Sequence, residues 1–363
     1  MLKNIGLLVL AFLLLASIFV GAMGVLLAGV AHTTPGRLAG LGSLALASVP
    51  WMLLFERSRG WLAVPLVGGG LAWGAASWHA PDGRTPTASC IEHHLPEGRR
   101  FRRHAMSNIV PEVDQFELGS WLIPFLDLHM GLQQGAEVRE LFRAVYEDTR
   151  EQDCMVQAGS AMPWAYAELV PFAQWNVGHR YLVVPEAEEP LPVVLFLHGS
   201  LGNFKGYQQV LGELARERGF AVVSPSFGLG NWWRPEGVEV VGETLRAIEE
   251  DPRLDGERVV LVGLSNGGLG VTRALEAYPQ HFEGVLYVTG VVEPQRMAEL
   301  ELAPELPVLL LAGVEDRRLP IQLERQAVQA LPQAELMEAP GQDHFLMFRD
   351  PALVGQALAR LGR

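Results

Sequence analysis

The chain has 363 residues, 49% of them hydrophobic and 19% charged, with a formal net charge of −13. That composition is too apolar for a disordered chain, and the length exceeds one small module. Residues 1–80 hold Lys3, Arg37, Arg57 and Arg59 against Glu56 alone, which leaves −16 on the rest and excludes a nucleic-acid partner, because phosphate neutralisation needs clustered basic residues.

From Ile5 to Val30 no residue is charged. The run exceeds the roughly 20 residues a helix needs to cross the hydrocarbon of a bilayer, and it is longer than the core of a cleaved signal peptide. His32–Arg37, with Pro35 and Gly36, breaks the helix; a second uncharged run follows from Leu38 to Phe55 and a third from Trp61 to Trp78. Three transmembrane helices are therefore expected within residues 1–79, the third weakened by Gly68, Gly69 and Gly70, with Trp51, Trp61 and Trp78 near run ends as interfacial anchors. Lys3, Arg57 and Arg59 fall on one side, and Arg37 and Arg84 on the other. The slight basic excess points to an inside amino terminus and, after three crossings, an extracytoplasmic remainder in contact with membrane lipids.

Residues 80–180 read as a linker and mixed connecting region. Pro81, Asp82, Gly83, Pro86 and Pro96 punctuate it, and Arg99, Arg100, Arg102 and Arg103 form a basic cluster suited to a solvated linker or to anionic headgroups. Glu92, His93, His94 and His104 lie near Cys90, but no pair has helical metal-ligand spacing. Apolar residues at three-to-four spacing predict a helix over about 136–152. Cys90 and Cys154 are the only cysteines, and in an oxidising compartment they are expected to form one disulfide.

From about Tyr181 the pattern changes to short apolar runs alternating with amphipathic stretches. Val193–Leu197, Ala221–Ser224, Val259–Val262, Val285–Val288 and Val308–Ala312 read as buried strands, with Ala334–Met337 as a last one; Tyr207–Arg218, Val238–Glu250, Gly268–Ala277 and Leu323–Ala330 read as helices. The alternation predicts an α/β fold, a mostly parallel sheet with helices on both faces and its active site beyond the strand carboxyl ends.

The strand Val259–Val262 runs into Gly263-Leu264-Ser265-Asn266-Gly267 and then a helix. Glycines two residues before and after the serine clear a sharp strand-to-helix turn and expose the hydroxyl, the setting a G-x-S-x-G nucleophile requires. A serine needs a base, and the base needs a carboxylate to fix its tautomer. His344 follows the last expected strand, and Asp316 follows Val308–Ala312, with Glu315 and Asp343 as competing acids. The order Ser265, Asp316, His344 is the one that separates this architecture from other serine-hydrolase folds. Oxyanion donors are expected at the Asn266 N–H and, from the loop His198-Gly199-Ser200-Leu201-Gly202-Asn203, at Ser200 in preference to Leu201. Phe227, Trp232 and Trp233 could wall the site for substrate binding, or pack in the core. This chemistry calls for no metal or organic cofactor.

Residues 181–363 resemble the α/β-hydrolase superfamily in His198-Gly199, the Gly263–Gly267 elbow, Gly313–Pro320 and Asp343-His344-Phe345. The resemblance implies an α/β-hydrolase fold and a Ser-His-Asp hydrolase working through an acyl-enzyme, most often on esters. The expected substrate is a small-molecule or lipid-like carboxylic ester. Ser265-Asn266-Gly267-Gly268 is also similar to prolyl-oligopeptidase elbows, which keeps a peptidase or acyltransferase open, and the non-enzyme alternative is a membrane scaffold whose hydrolase domain only binds.

Overall fold

A computed structural model describes residues 2–55, 59–83, 91–95, 100–126, 130–151, 153–167 and 178–362. The chain forms two compact units, Met1–Pro81 with Arg102–Arg139, and Asp82–Phe101 with Glu140–Arg363. They do not follow the linear division into 1–79, 80–180 and 181–363, because the connecting region is shared between them.

In the first unit, α1 (Leu2–Val30) turns through residues 31–33 into α2 (Thr34–Ala47), followed by α3 (Val49–Leu54) and α4 (Arg59–Trp78). The Thr33 hydroxyl accepts the Gly36 N–H at 3.1 Å, and Pro35 needs no hydrogen-bond partner in the first helical turn. A methyl group at Gly40 would lie 2.5 Å from the Ala28 nitrogen, so the α1–α2 contact depends on small residues. Two helical stretches among the described residues are long and apolar enough to cross a membrane, Gly6–Val30 with mean hydropathy 2.6 and Thr34–Leu54 with 1.4. The third expected run is helical, but Pro65 and its glycines keep it from the same apolarity, so the expected count of three spans is corrected to two candidates. The extracytoplasmic placement, which needed an odd number of crossings, loses that support.

Farther along, α5 (Met106–Ile109) and α6 (Glu112–Leu126) belong to this unit. On α6 the buried Asp114 accepts the His32 N–H at 2.7 Å, the Thr33 N–H at 3.3 Å and the Thr33 hydroxyl. Glu117 meets His32 Nε2 at 3.2 Å and accepts the Trp121 indole N–H at 3.2 Å. Thus Asp114 on α6 satisfies free amides of the α1–α2 turn, where a helix N-terminus favours negative charge, and Glu117 holds the His32 ring beside it.

The second unit is built on an eight-stranded sheet. Its strands are β1 (Ile91–His94), β2 (Arg180–Val183), β3 (Leu191–Leu197), β4 (Ala221–Pro225), β5 (Leu254–Leu264), β6 (Gly284–Val288), β7 (Val308–Gly313) and β8 (Ala334–Ala339), in the spatial order β1-β2-β4-β3-β5-β6-β7-β8. From β3 to β8 all pairings are parallel, whereas β2 joins β4, and β1 joins β2, antiparallel. Strands β3 and β7, and β5 from Val259 onward, are buried along nearly their whole length, as strands covered on both faces must be. All six strands expected from the sequence form; β1 and β2 were not among them.

After β3 the chain goes to β4 on one side, then crosses back to β5 on the other. The order therefore reverses between β3 and β5, and parallel sheets open a crevice beyond the carboxyl ends of the strands at such a point. His198 follows β3 there, and Ser265 follows β5.

Candidate active site

Strand β5 ends at Leu264 and a helix begins at Gly267, which leaves two residues for the reversal. Ser265 takes φ +51°, the left-handed region a non-glycine residue enters only when its surroundings hold it there. Three backbone bonds do so: Ser265 N–H donates to Val288 O at 3.2 Å, and its carbonyl accepts from Gly268 N–H at 2.9 Å and Val291 N–H at 2.8 Å. Position 267 must be glycine because a Cβ there would run into the Leu197 carbonyl. The helix Gly267–Ala277 points its amino end at the serine, so its free amides add positive potential there.

His344 stands in the loop after β8, with Nε2 3.0 Å from Ser265 Oγ and Nδ1 2.7 Å from Asp316 Oδ2. A carboxylate only accepts, so the Nδ1 nitrogen carries the proton and Nε2 presents a lone pair to the serine hydroxyl. The other Asp316 oxygen accepts the N–H groups of Arg318 at 2.8 Å and Leu319 at 3.0 Å, which fixes the carboxylate plane. The Asp316 side chain is 2% exposed and that of His344 13%, so the acid is dry while the base keeps access. Of the competing acids, Asp343 pairs with Arg349 at 3.0 Å, and Glu315 is exposed.

The oxyanion candidates differ in what their N–H groups already do. Leu201, at φ +76°, donates its N–H to Leu229 O at 3.0 Å, which removes it as a donor. The N–H groups of Ser200 and Asn266 have no acceptor among the described residues. Gly199 lies against the serine: a Cβ there would sit 3.2 Å from Ser265 Cβ.

The aromatic wall is corrected. Trp232 is fully buried, donates its indole N–H to His198 O at 2.8 Å and packs on the equally buried Phe227, so both are core. Trp233 is exposed and, among the described residues, makes no ring or hydrogen-bond contact with Ser265, His344 or Asp316. Among the described residues no three of the suggested metal ligands gather: Glu92 binds Arg253 at 2.7 Å and meets His94 at 3.1 Å, His93 faces His179 at 2.8 Å, and His104 meets Ser77 at 2.8 Å in the first unit. Cys90 and the Cys154 side chain lie outside the described residues, and so therefore does the expected disulfide.

His198 is held between the Gly199 carbonyl at 2.8 Å and the Phe227 N–H at 3.1 Å, and burial keeps it neutral by lowering its pKa to about 4. Near the acid, burial and then the charge of Asp316 push Glu324 up to about 7. Sequence reading did not single out Glu324; its position in the first turn of the helix after the Asp316 loop was the available signal.

Solved structures similar to about half of the chain include FphF, a fluorophosphonate-binding serine hydrolase of Staphylococcus aureus. It is 16% identical over 51% of this chain and 92% of its own, with a TM-score of 0.43. An S-formylglutathione hydrolase from Agrobacterium tumefaciens is 18% identical over 50% of this chain and 88% of its own, at 0.42, and an esterase from Pyrobaculum calidifontis is 18% identical over 50% and 80%, at 0.41. These neighbours are hydrolases of the α/β-hydrolase type. No family model matches the chain, and no curated protein sequence matches it.

Proposed function

We propose that the protein is a serine hydrolase that cleaves carboxylic esters through an acyl-enzyme. The observation that carries this reading is the hydrogen-bonded line from Ser265 Oγ through His344 to Asp316, set on a strained elbow at the sheet's reversal point. Ser265 Oγ attacks the ester carbonyl carbon as His344 Nε2 takes its proton. The tetrahedral oxyanion is received by the N–H groups of Ser200 and Asn266. Collapse expels the alcohol, which leaves with the proton from Nε2, and water then repeats the sequence to release the acid. Asp316 keeps the proton on Nδ1 and stabilises the imidazolium that forms.

Membrane anchoring belongs to the same proposal. Within Gly6–Val30 only 11% of the apolar window is buried, and Leu7, Leu8, Phe12, Leu15 and Phe19 are each about two-thirds exposed or more. A helix so apolar and so uncovered is explained by lipid around it. Anchored at a bilayer, the enzyme would meet lipid-like and medium-chain esters. A hydrolysis panel of p-nitrophenyl esters, glycerol esters and peptides, with Ser265→Ala as control, tests the reading. Turnover of esters that is lost in Ser265→Ala supports it, and faster cleavage of any peptide than of every ester overturns it.

A further inference from the structure

Beside the Ser200 loop lies a line of polar side chains, half-buried at His93 and buried at His179, Ser226 and Asn203, that the mechanism above does not use. His93 Nδ1, on β1, is 2.8 Å from His179 Nε2; His179 Nδ1 is 2.8 Å from Ser226 Oγ; and Ser226 Oγ accepts the Asn203 side-chain amide at 3.2 Å. Asn203 is spent completely. Its amide also donates to Ser224 O at 2.9 Å, and its oxygen accepts from Gln208 Nε2 at 3.0 Å and the Ser224 hydroxyl at 3.1 Å. Aromatic rings enclose the line: Trp164 stacks on His179 at 4.3 Å, and Tyr181 meets both histidines edge-on at 4.9 and 4.6 Å.

Two facing ring nitrogens bond to each other only when one of them carries a proton and the other a lone pair, which two neutral imidazoles provide. Burial supports this, since it lowers the pKa of each, that of His93 to about 3. Such a line does not titrate near neutral pH and has no access to substrate. It does hold one end of the segment 198–203. The other end is held by His198, through the Phe227 N–H and the Trp232 indole. Between the two anchors Leu201, a non-glycine residue, takes φ +76°, which its surroundings must hold, and its N–H bond to Leu229 O at 3.0 Å adds a tether in the middle.

We propose that His93, His179, Ser226 and Asn203 are positioning residues that hold the loop 198–203 so that the Ser200 N–H stays in place for the oxyanion at Ser265. The inference rests on the assignment of Ser200 as an oxyanion donor. A loop displaced by about 1 Å would weaken the transition state far more than substrate binding.

The test uses the full chain in detergent, p-nitrophenyl butyrate as substrate, and the variants Ser226→Ala, Ser226→Thr and Gln208→Leu. Ser226→Ala is expected to lower kcat about 10- to 100-fold with KM changed by less than about threefold. Ser226→Thr, which keeps the hydroxyl, should recover most of that loss, and Gln208→Leu should show a smaller loss of the same kind. Folded Ser226→Ala and Gln208→Leu proteins with wild-type kcat would overturn the proposal. Loss of the fold in both would do so equally, because the tethers would then hold the whole unit and not this loop. Turnover surviving in Ser265→Ala would instead remove the nucleophile, and with it the assignment on which the proposal rests.

Discussion

His344 Nε2 lies 3.0 Å from Ser265 Oγ, although 79 residues separate them in the chain. The sheet closes that distance by bringing the loops after β5 and β8 to the same edge. Replacing either residue by alanine should lower kcat by about 10⁴ to 10⁶ and leave only what the oxyanion site and binding support. Steady-state kinetics on a p-nitrophenyl ester measures this, and a loss under about tenfold in either variant would contradict the roles assigned.

Asp316→Asn tests the tautomer. The amide can donate to Nδ1, which would move the imidazole proton to Nε2 and turn the base away from its task. A fall in kcat of about 10⁴ with unchanged thermal stability is expected. A variant that kept near-normal turnover would show that the 2.7 Å contact does not set the protonation of His344.

Glu324 is buried, its Oε2 lacks a partner among the described residues, and its pKa is raised to about 7 by burial and by Asp316. Between about pH 4.5 and 7 the folded protein keeps a proton that the unfolded chain gives up, so this residue makes stability fall as pH rises through that window. Glu324→Gln should therefore raise the melting temperature at pH 8, by the equivalent of up to about 3 kcal/mol, and change it little at pH 5. Equal shifts at both pH values would show that the carboxyl is not the cause.

The buried histidines give the opposite slope. His198 and His93 stay neutral when folded because burial lowers them to about 4 and about 3. Between those values and about 6.5 the unfolded chain takes up protons that the fold refuses, so stability is lost as pH falls below about 6.5. For His198 alone the loss is on the order of 3 kcal/mol by pH 4. Phe, of similar shape and without a titrating nitrogen, in place of His93 should flatten the acid limb of a melting-temperature profile; an unchanged limb would place the acid sensitivity elsewhere.

The strands β3 to β7 were legible because each carries a short apolar run buried on both faces, a pattern that survives in one dimension, whereas β8 keeps two exposed glutamates and was legible only as the last short run before His344. Ser265, Asp316 and His344 were legible because each follows one of those strands in a fixed chain order. By contrast, β1 reads Ile-Glu-His-His, and it becomes a strand only through pairing with Arg180–Val183, while Glu92 and His93 find Arg253 and His179 far along the chain. Trp232 looked like a substrate wall in a glycine-rich loop. It is buried in the main apolar core against Phe227, with its indole N–H satisfied by the His198 carbonyl, a partner that no local pattern announces. Asp114 and Glu117 carry no local signal either, since the amides and the imidazole they meet, in His32 and Thr33, lie some 80 residues earlier.

The central claim is that Ser265 is an activated nucleophile. Full-length protein is treated with a fluorophosphonate and the modified peptide is located by mass spectrometry. One adduct per chain on Ser265 is expected, absent from Ser265→Ala and slowed by His344→Ala. A protein that remains unmodified, or carries the adduct on another residue while Ser265→Ala labels as wild type, would contradict the account.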